Sequence, residues 1–317
     1  MMTQKKKTYI GMVIVLAAGL LAGCSGDDSE MERAGADEIR FLVDEHHNSR
    51  ATVITSNTDL QAQDIRIDAY FNGTTTAYLS DRLLHYNSTA WQFDDGAGNA
   101  LHYYWPIEGS VYTDVPLTVS SLDFVGRTPI ATPPYISNYD YSVSDGVSFD
   151  ADLSTYMTNG AQDGLTEFMY AISTNQTKST NSGTVNMTFQ HPFACVYFQL
   201  AAGNDPNVVI KSITISGLKT GGSYTSSSGW TDLTGDGNLV ITGNPATGTE
   251  AYLVIPNNNG SKTVTVTASW TDWGAQLDHD LSTTITADWS AGNSYVYSFT
   301  VRDKDLIVNT EKFTEQW

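Results

Sequence analysis

"VNMTFQHPFACVYFQL", residues 185–200, carries the strongest fold signal in the chain. Val185, Met187 and Phe189 alternate with polar neighbours, which is the period of a strand with one face in a core. Beyond His191-Pro192 the run from Phe193 is nearly all apolar, as expected of a strand covered on both faces. The same alternation recurs outward in both directions. Ile39, Phe41 and Val43 show it near the start, and Ile65, Ile67, Ala69 and Phe71 show it in "DIRIDAYF" (64–71). Ile213 and Ile215 follow, then Val264, Val266, Ala268 and Trp270, then Tyr295, Tyr297, Phe299 and Val301. Turn signals rich in Gly, Asn and Asp punctuate these runs: "DDGAGN" (94–99), "SDG" (144–146), "TGG" (220–222), "TGDGN" (234–238) and "NNNG" (257–260). Many short strands joined by such turns predict an all-β sandwich. Helix is expected at most as one turn near "DADLSTYM" (150–157).

Composition agrees. Only 16% of the 317 residues are charged, and Ser, Thr, Asn and Gly fill the difference. That balance suits strands and turns better than helices. The formal net charge is -19, so the surface repels nucleic-acid phosphates and anionic headgroups, and nucleic acid is excluded as a partner. The length suits about two domains. "STNQTKSTNSG" (173–183) is polar and aperiodic, and it marks an expected boundary between one sandwich at 38–175 and a second at 176–317.

The first 24 residues read as a targeting segment. Lys5, Lys6 and Lys7 precede an apolar run from about Ile10 to Ala22, too short for a comfortable span and followed by Gly23-Cys24. "LAGC" (21–24) matches a bacterial lipobox, which makes Cys24 the expected lipidated first residue of the mature chain, held to a membrane by its acyl chains. Residues 25–37 are acidic and small, the composition of a tether. With Cys24 acylated, Cys195 has no partner for an intramolecular disulfide, and its apolar surroundings predict a buried thiol.

No chemical constellation emerges. A nucleophile elbow, a zinc helix, a phosphate loop and a Cys-x-x-Cys pair are all missing from the sequence, so neither enzyme activity nor a cofactor is expected. "DADLS" (150–154) and "DLTGDGN" (232–238) start like calcium loops but lack the Gly and Glu that the geometry needs. His191 beside apolar strand residues predicts a hydrogen-bonded structural histidine. "DEHHNSRATVI" (44–54) concentrates acids and two histidines. Adjacent side chains on an extended chain point apart, so His46 and His47 do not share an ion and no metal is expected. The segment reads instead as a solvated loop in which the Arg50–Ala51 bond is open to a protease. Exposed tryptophans among Trp230, Trp270, Trp273 and Trp289 would support a rival reading, a surface lipoprotein that binds glycans without polymerising.

Taken in order, these segments resemble the fimbrillin-like lipoproteins of the Bacteroidetes, subunits of protease-processed pili. The resemblance runs from the lipobox through "IRF" (39–41), "SRAT" (49–52), "DIRIDAYF" (64–71) and "YYWP" (103–106) to "LDFVGRTP" (122–129). It continues with "EFMYA" (167–171), residues 185–200, "ITISGL" (213–218), "AYLVIP" (251–256), "WSAGNSYVYSFTV" (289–301) and "LIVNTEKFTEQW" (306–317). The family often has a second aromatic after Phe124, and this chain does not.

The resemblance implies two tandem transthyretin-like β-sandwich domains and a surface-exposed lipoprotein that ends in a fimbrium serving cell adhesion. An Arg-specific protease would cut after Arg50, with Arg33 as the competing site. The first strand, carrying Ile39, Phe41 and Val43, would then leave. Other pilus subunits would be the partners, each supplying a C-terminal donor strand anchored by Leu306, Val308 and Phe313.

Overall fold

The computed structural model describes residues 38–45, 56–107, 111–112, 115–116, 121–162, 165–204, 207–243, 247–256, 260–272, 275–302 and 305–313. The chain runs through Arg40–Glu45 (β1), Ile65–Phe71 (β2), Ala77–Tyr86 (β3), Trp91–Asp94 (β4), Ala100–Leu101 (β5), Val111–Tyr112 (β6), Val115–Pro116 (β7), Leu122–Thr128 (β8), Ile136–Ser142 (β9), Gly146–Asp152 (β10) and Met169–Gln176 (β11). It continues through Thr184–Phe189 (β12), Ala194–Leu200 (β13), Val209–Leu218 (β14), Gly221–Thr225 (β15), Gly229–Thr234 (β16), Gly237–Thr242 (β17), Thr247–Val254 (β18), Ser261–Asp272 (β19), Ala275–Thr286 (β20), Ser294–Arg302 (β21) and Asp305–Phe313 (β22). Among the described residues helix is confined to short pieces, Asn57–Gln61 (α1), Asn159–Gln162 (α2) and 3-10 turns such as Ser154–Tyr156. The all-β sandwich read from the alternation is the architecture found.

β2 shows how the pattern becomes structure. Ile65, Ile67, Ala69 and Phe71 are buried, and the residues between them are half-buried. Asn72-Gly73 turns the chain, with Gly73 at φ 72°, where a side chain would be strained. The turn is secured from β8. Buried Asp123 accepts hydrogen bonds from the Asn72 side chain, from the Gly73 amide and from the Asn175 amide.

The first sheet orders its strands β11-β8-β2-β3-β4-β1-β12, with β5 beside β4. Its two ends meet, because Tyr170 and Gln190 form an antiparallel bridge between the β11 side and the end of β12. Curling the sheet this far brings opposite walls close. A Cβ on Gly126 would lie 3.0 Å from Met187 Cε and 3.2 Å from Phe189 Cζ. Inside sit Ile65, Ile67, Leu84, Phe93, Leu122, Phe124, Val185 and Met187.

Three further sheets, β16-β15-β10-β9, β18-β13-β21-β22 and β17-β14-β19-β20, share a larger core. Phe149, Phe193, Phe198, Ile213, Val264, Trp289 and Phe299 lie within it. The sequence places a boundary at 175/176, and strands pair across it. β12 lies beyond that point yet completes the first sheet, and β10 pairs with β15 across it. The polar stretch 173–183 is polar because it is the end of β11 and a hydroxyl-laced turn, in which the Thr177, Ser179 and Thr180 side chains bond one another.

Candidate functional site

β1 is the element on which the functional reading turns, and its geometry follows from its alternation. Ile39, Phe41 and Val43 are 3%, 8% and 7% exposed, whereas Leu42 is 58% exposed. The strand lies between β4 and β12. On the β12 side, Arg40 to Glu45 run parallel to Thr184 to Phe189 in unbroken register. On the β4 side, pairing is limited to Phe41 opposite Trp91. Just upstream, the Ile39 amide donates to the Tyr103 carbonyl at 2.8 Å.

The Phe41 ring packs edge-on against Phe93 at 5.2 Å and against Phe124 at 5.6 Å. Burying three such side chains contributes about 1.5–3 kcal/mol each as an upper estimate. Polar clips add little more. Arg40 Nη2 donates to the Ser182 carbonyl at 3.0 Å, Asn57 Nδ2 donates to Asp44 Oδ1 at 2.6 Å, and His102 Nδ1 meets Glu38 Oε1 at 2.6 Å on the surface. Without β1, the sheet would have a slot between β4 and β12. The slot would be lined by Trp91, Phe93, Phe124, Val185, Met187 and Phe189, and β12 would present a row of unpaired backbone groups.

The end of the chain is placed differently. β22 runs antiparallel to β21 from Ser294 opposite Phe313 to Arg302 opposite Asp305. It is the edge strand of its sheet. Leu306 and Val308 are half-buried against the larger core, and Ile307 is 49% exposed. In this monomer the last strand is therefore packed on its own fold, one face in and one face out.

The remaining sequence expectations sort as follows. Cys24, Arg33, His46, His47, Arg50, Ala51 and Trp273 lie outside the described residues. Cys195 is fully buried, and burial, with the nearby Glu167 charge adding to it, pushes its thiol well above the usual pKa. His191 is buried and hydrogen-bonds Glu167 Oε1 through Nδ1 at 2.9 Å. Asp150 is engaged by Ser223 Oγ and Asn138 Nδ2, and Asp152 accepts from the Ser154 amide. Among the described residues no group of three His, Cys, Asp or Glu is placed to hold a metal. Trp270 and Trp289 are buried, and Trp230 is half-buried with its indole nitrogen donating to the Pro192 carbonyl. Burial leaves Trp270 and Trp289 without an open face for a sugar.

Sequence reading missed Glu167, a fully buried acid, because its neighbour in space lies 24 positions away. It also missed the groove floor, Trp91, Phe93 and Phe124, since apolar strand residues look alike until their partners are known.

The comparisons with known proteins place this geometry. Residues 49–317 match the family model described as fimbrillin-like. A crystal structure of a fimbrial protein from Bacteroides vulgatus superposes with a TM-score of 0.57 at 13% identity, over 87% of this chain and 99% of that one. Candidate cell adhesion proteins from Bacteroides uniformis and Bacteroides ovatus give TM-scores of 0.55 and 0.54 at 15% and 12% identity. Each covers 88% of this chain and 97% of the other. At such identities the likeness shows the fold alone. No curated protein matches the sequence. The family match covers most of the chain, and the chain belongs to the fimbrillin-like family, which comprises fimbrial structural proteins and not enzymes.

Proposed function

We propose that this cell-surface fimbrial subunit polymerises by exchanging its first strand. The chain reaches the outer membrane through lipid on Cys24. An Arg-specific protease cuts between Arg50 and Ala51, and Arg33 is the competing site. β1 and the lipid then depart together, and the slot between β4 and β12 receives the C-terminal strand of another subunit through Leu306, Val308 and Phe313. The polymer serves cell adhesion.

The observation that carries this reading is the asymmetry of β1. It contributes three buried side chains to the first core, yet its hydrogen-bond ladder is complete on one side only. Such a strand fills a hydrophobic slot while being stitched fully along one side and only at a few points on the other. A strand of like pattern restores the same pockets and ladder. β22 has a matching period, with Leu306 and Val308 inward and Ile307 outward, and it is held at an edge by one neighbour. The 46–55 connection between β1 and α1 contains Arg50, so a cut there separates β1 from the rest of the fold.

The test is N-terminal sequencing of the surface form together with Arg50→Ala. The variant should accumulate as a lipidated monomer, and the wild-type polymer should begin at Ala51. Normal polymers from Arg50→Ala would sink the mechanism.

A further inference from the structure

β12 is the wall of the slot, and its hold on the fold is unusually one-sided. Among the described residues its only ladder is with β1. On its other flank the backbone bonding among the described residues is a bridge just past its end, where the Gln190 amide donates to the Tyr170 carbonyl at 2.7 Å and the Tyr170 amide donates back at 3.3 Å. One residue further on, His191 Nδ1 donates to Glu167 Oε1. The His191 side chain is 2% exposed and that of Glu167 is 0%. The second carboxylate oxygen, Glu167 Oε2, is buried and has no hydrogen bond among the described residues.

A buried carboxylate that is half satisfied costs stability, so its presence needs another account. Both partners are attached to segments fixed by the larger core. Tyr135 Oη donates to the Thr166 carbonyl at 2.7 Å and accepts from the Phe168 amide at 2.9 Å, which brackets Glu167. The Pro192 carbonyl takes the Trp230 indole N–H at 2.5 Å, and the Phe193 carbonyl takes the Gly292 amide at 2.8 Å, which secures the chain after His191. The pair thus ties the end of β12 to scaffolding that does not depend on β1. Buried polar pairs are best attested as devices that specify one arrangement and not as sources of net stability.

We propose that the Glu167–His191 pair holds the end of β12 in place while β1 is absent, so that the slot keeps its wall until a second chain's strand enters. This rests on the strand-exchange reading given above. Glu167 and His191 are positioning residues here, acting through β12 and never touching the incoming strand.

The experiment uses the purified full chain, nicked in the 46–55 segment with trypsin. It is then incubated with a fluorescein-labelled peptide of residues 38–45, and uptake is followed by anisotropy. Wild type should take up the peptide. Glu167→Leu should fold with β1 in place but take up peptide on the order of tenfold more slowly, the scale of one lost hydrogen bond to a charged group. Glu167→Gln keeps an acceptor for Nδ1–H and His191→Asn keeps a donor near the same position, so both should exchange like wild type. Uptake by Glu167→Leu at the wild-type rate overturns the positioning role, as does slow uptake by both conservative variants. Failure of wild type to take up peptide at all sinks the exchange reading instead. Should Glu167→Leu not fold, amide hydrogen exchange on nicked wild type gives the answer. After β1 is displaced, the Gln190 amide should stay protected while the amides of 184–189 open, and loss of its protection overturns the proposal.

Discussion

Phe41 concentrates the argument at the scale of a residue. Its ring fills the space between Phe93 and Phe124, whereas its neighbour Leu42 points to solvent. Truncating a buried Phe removes both its transfer free energy and the contacts of its surroundings. Phe41→Ala should therefore destabilise the intact chain by about 3–5 kcal/mol in urea titration. Leu42→Ala should stay within about 0.5 kcal/mol. Equal effects from the two would mean that β1 does not face the core as described. Asp123 works in the opposite way, as a buried acid with every bond accounted for: it fastens the 72–73 turn, β8 and the end of β11 at one point. Glu167 lacks that completeness, and the difference between these two buried acids marks the second as a candidate for something other than stability.

Strands differ in how they are held, and the exchange proposal gives that difference a role at the scale of an element. β1 has a full ladder to β12 and a single pairing to β4, and β22 has a full ladder to β21 and, among the described residues, no second ladder. These are the two strands that the exchange mechanism asks to move. A strand held on both sides, such as β2 between β3 and β8, could leave only by opening two ladders. The combined variant Leu306→Ser with Val308→Ser should cost the monomer only about 1–2 kcal/mol, because both side chains are half-buried. It should shorten the polymers sharply, read as a collapsed ladder on a native gel. Full-length polymers from that variant would remove the donor role from β22. The parallel β1–β12 pairing also sets the direction of any strand that restores the same ladder: it must run parallel to β12.

Charge governs the molecule as a whole. A net charge of -19 puts the folded state under self-repulsion that salt relieves. Individual carboxylates add a pH dependence of definite sign. Hydrogen bonds from Ser223 and Asn138 hold Asp150 below its usual pKa, and those from Ser154 do the same for Asp152. Their contribution is present above the unfolded carboxylate value of about 3.9 and is lost as pH falls through the lower folded values. Asp68 acts in reverse. Desolvation raises its folded pKa, so it penalises folding at neutral pH, and the penalty vanishes once both states are protonated. Asp68→Asn should therefore raise the melting temperature at pH 7 and leave it nearly unchanged at pH 3, as calorimetry would show. At the alkaline end, burial pushes Tyr70 and Tyr297 up to about 12. Their neutral forms favour the fold below pH 10 and cease to do so as pH rises past the folded values.

Alternation along the chain was enough to determine the all-β class, the inward faces of β1, β2, β12 and β21, and the burial of Cys195, because a period of two is a local property of an extended backbone. The inward set Ile39, Phe41 and Val43 was legible for that reason, as was the hydrogen-bonded state of His191. Partnership was not legible. That β12 belongs to the first sheet, that β10 pairs with β15, and that Glu167 meets His191 all depend on contacts between segments far apart in sequence. The polar run 173–183 forms the end of β11 and a tight turn, and composition does not distinguish such a turn from a linker. Local pattern sets which way each side chain points. Only the closing of the sheet, through long-range hydrogen bonds and a shared core, decides which strand it points toward.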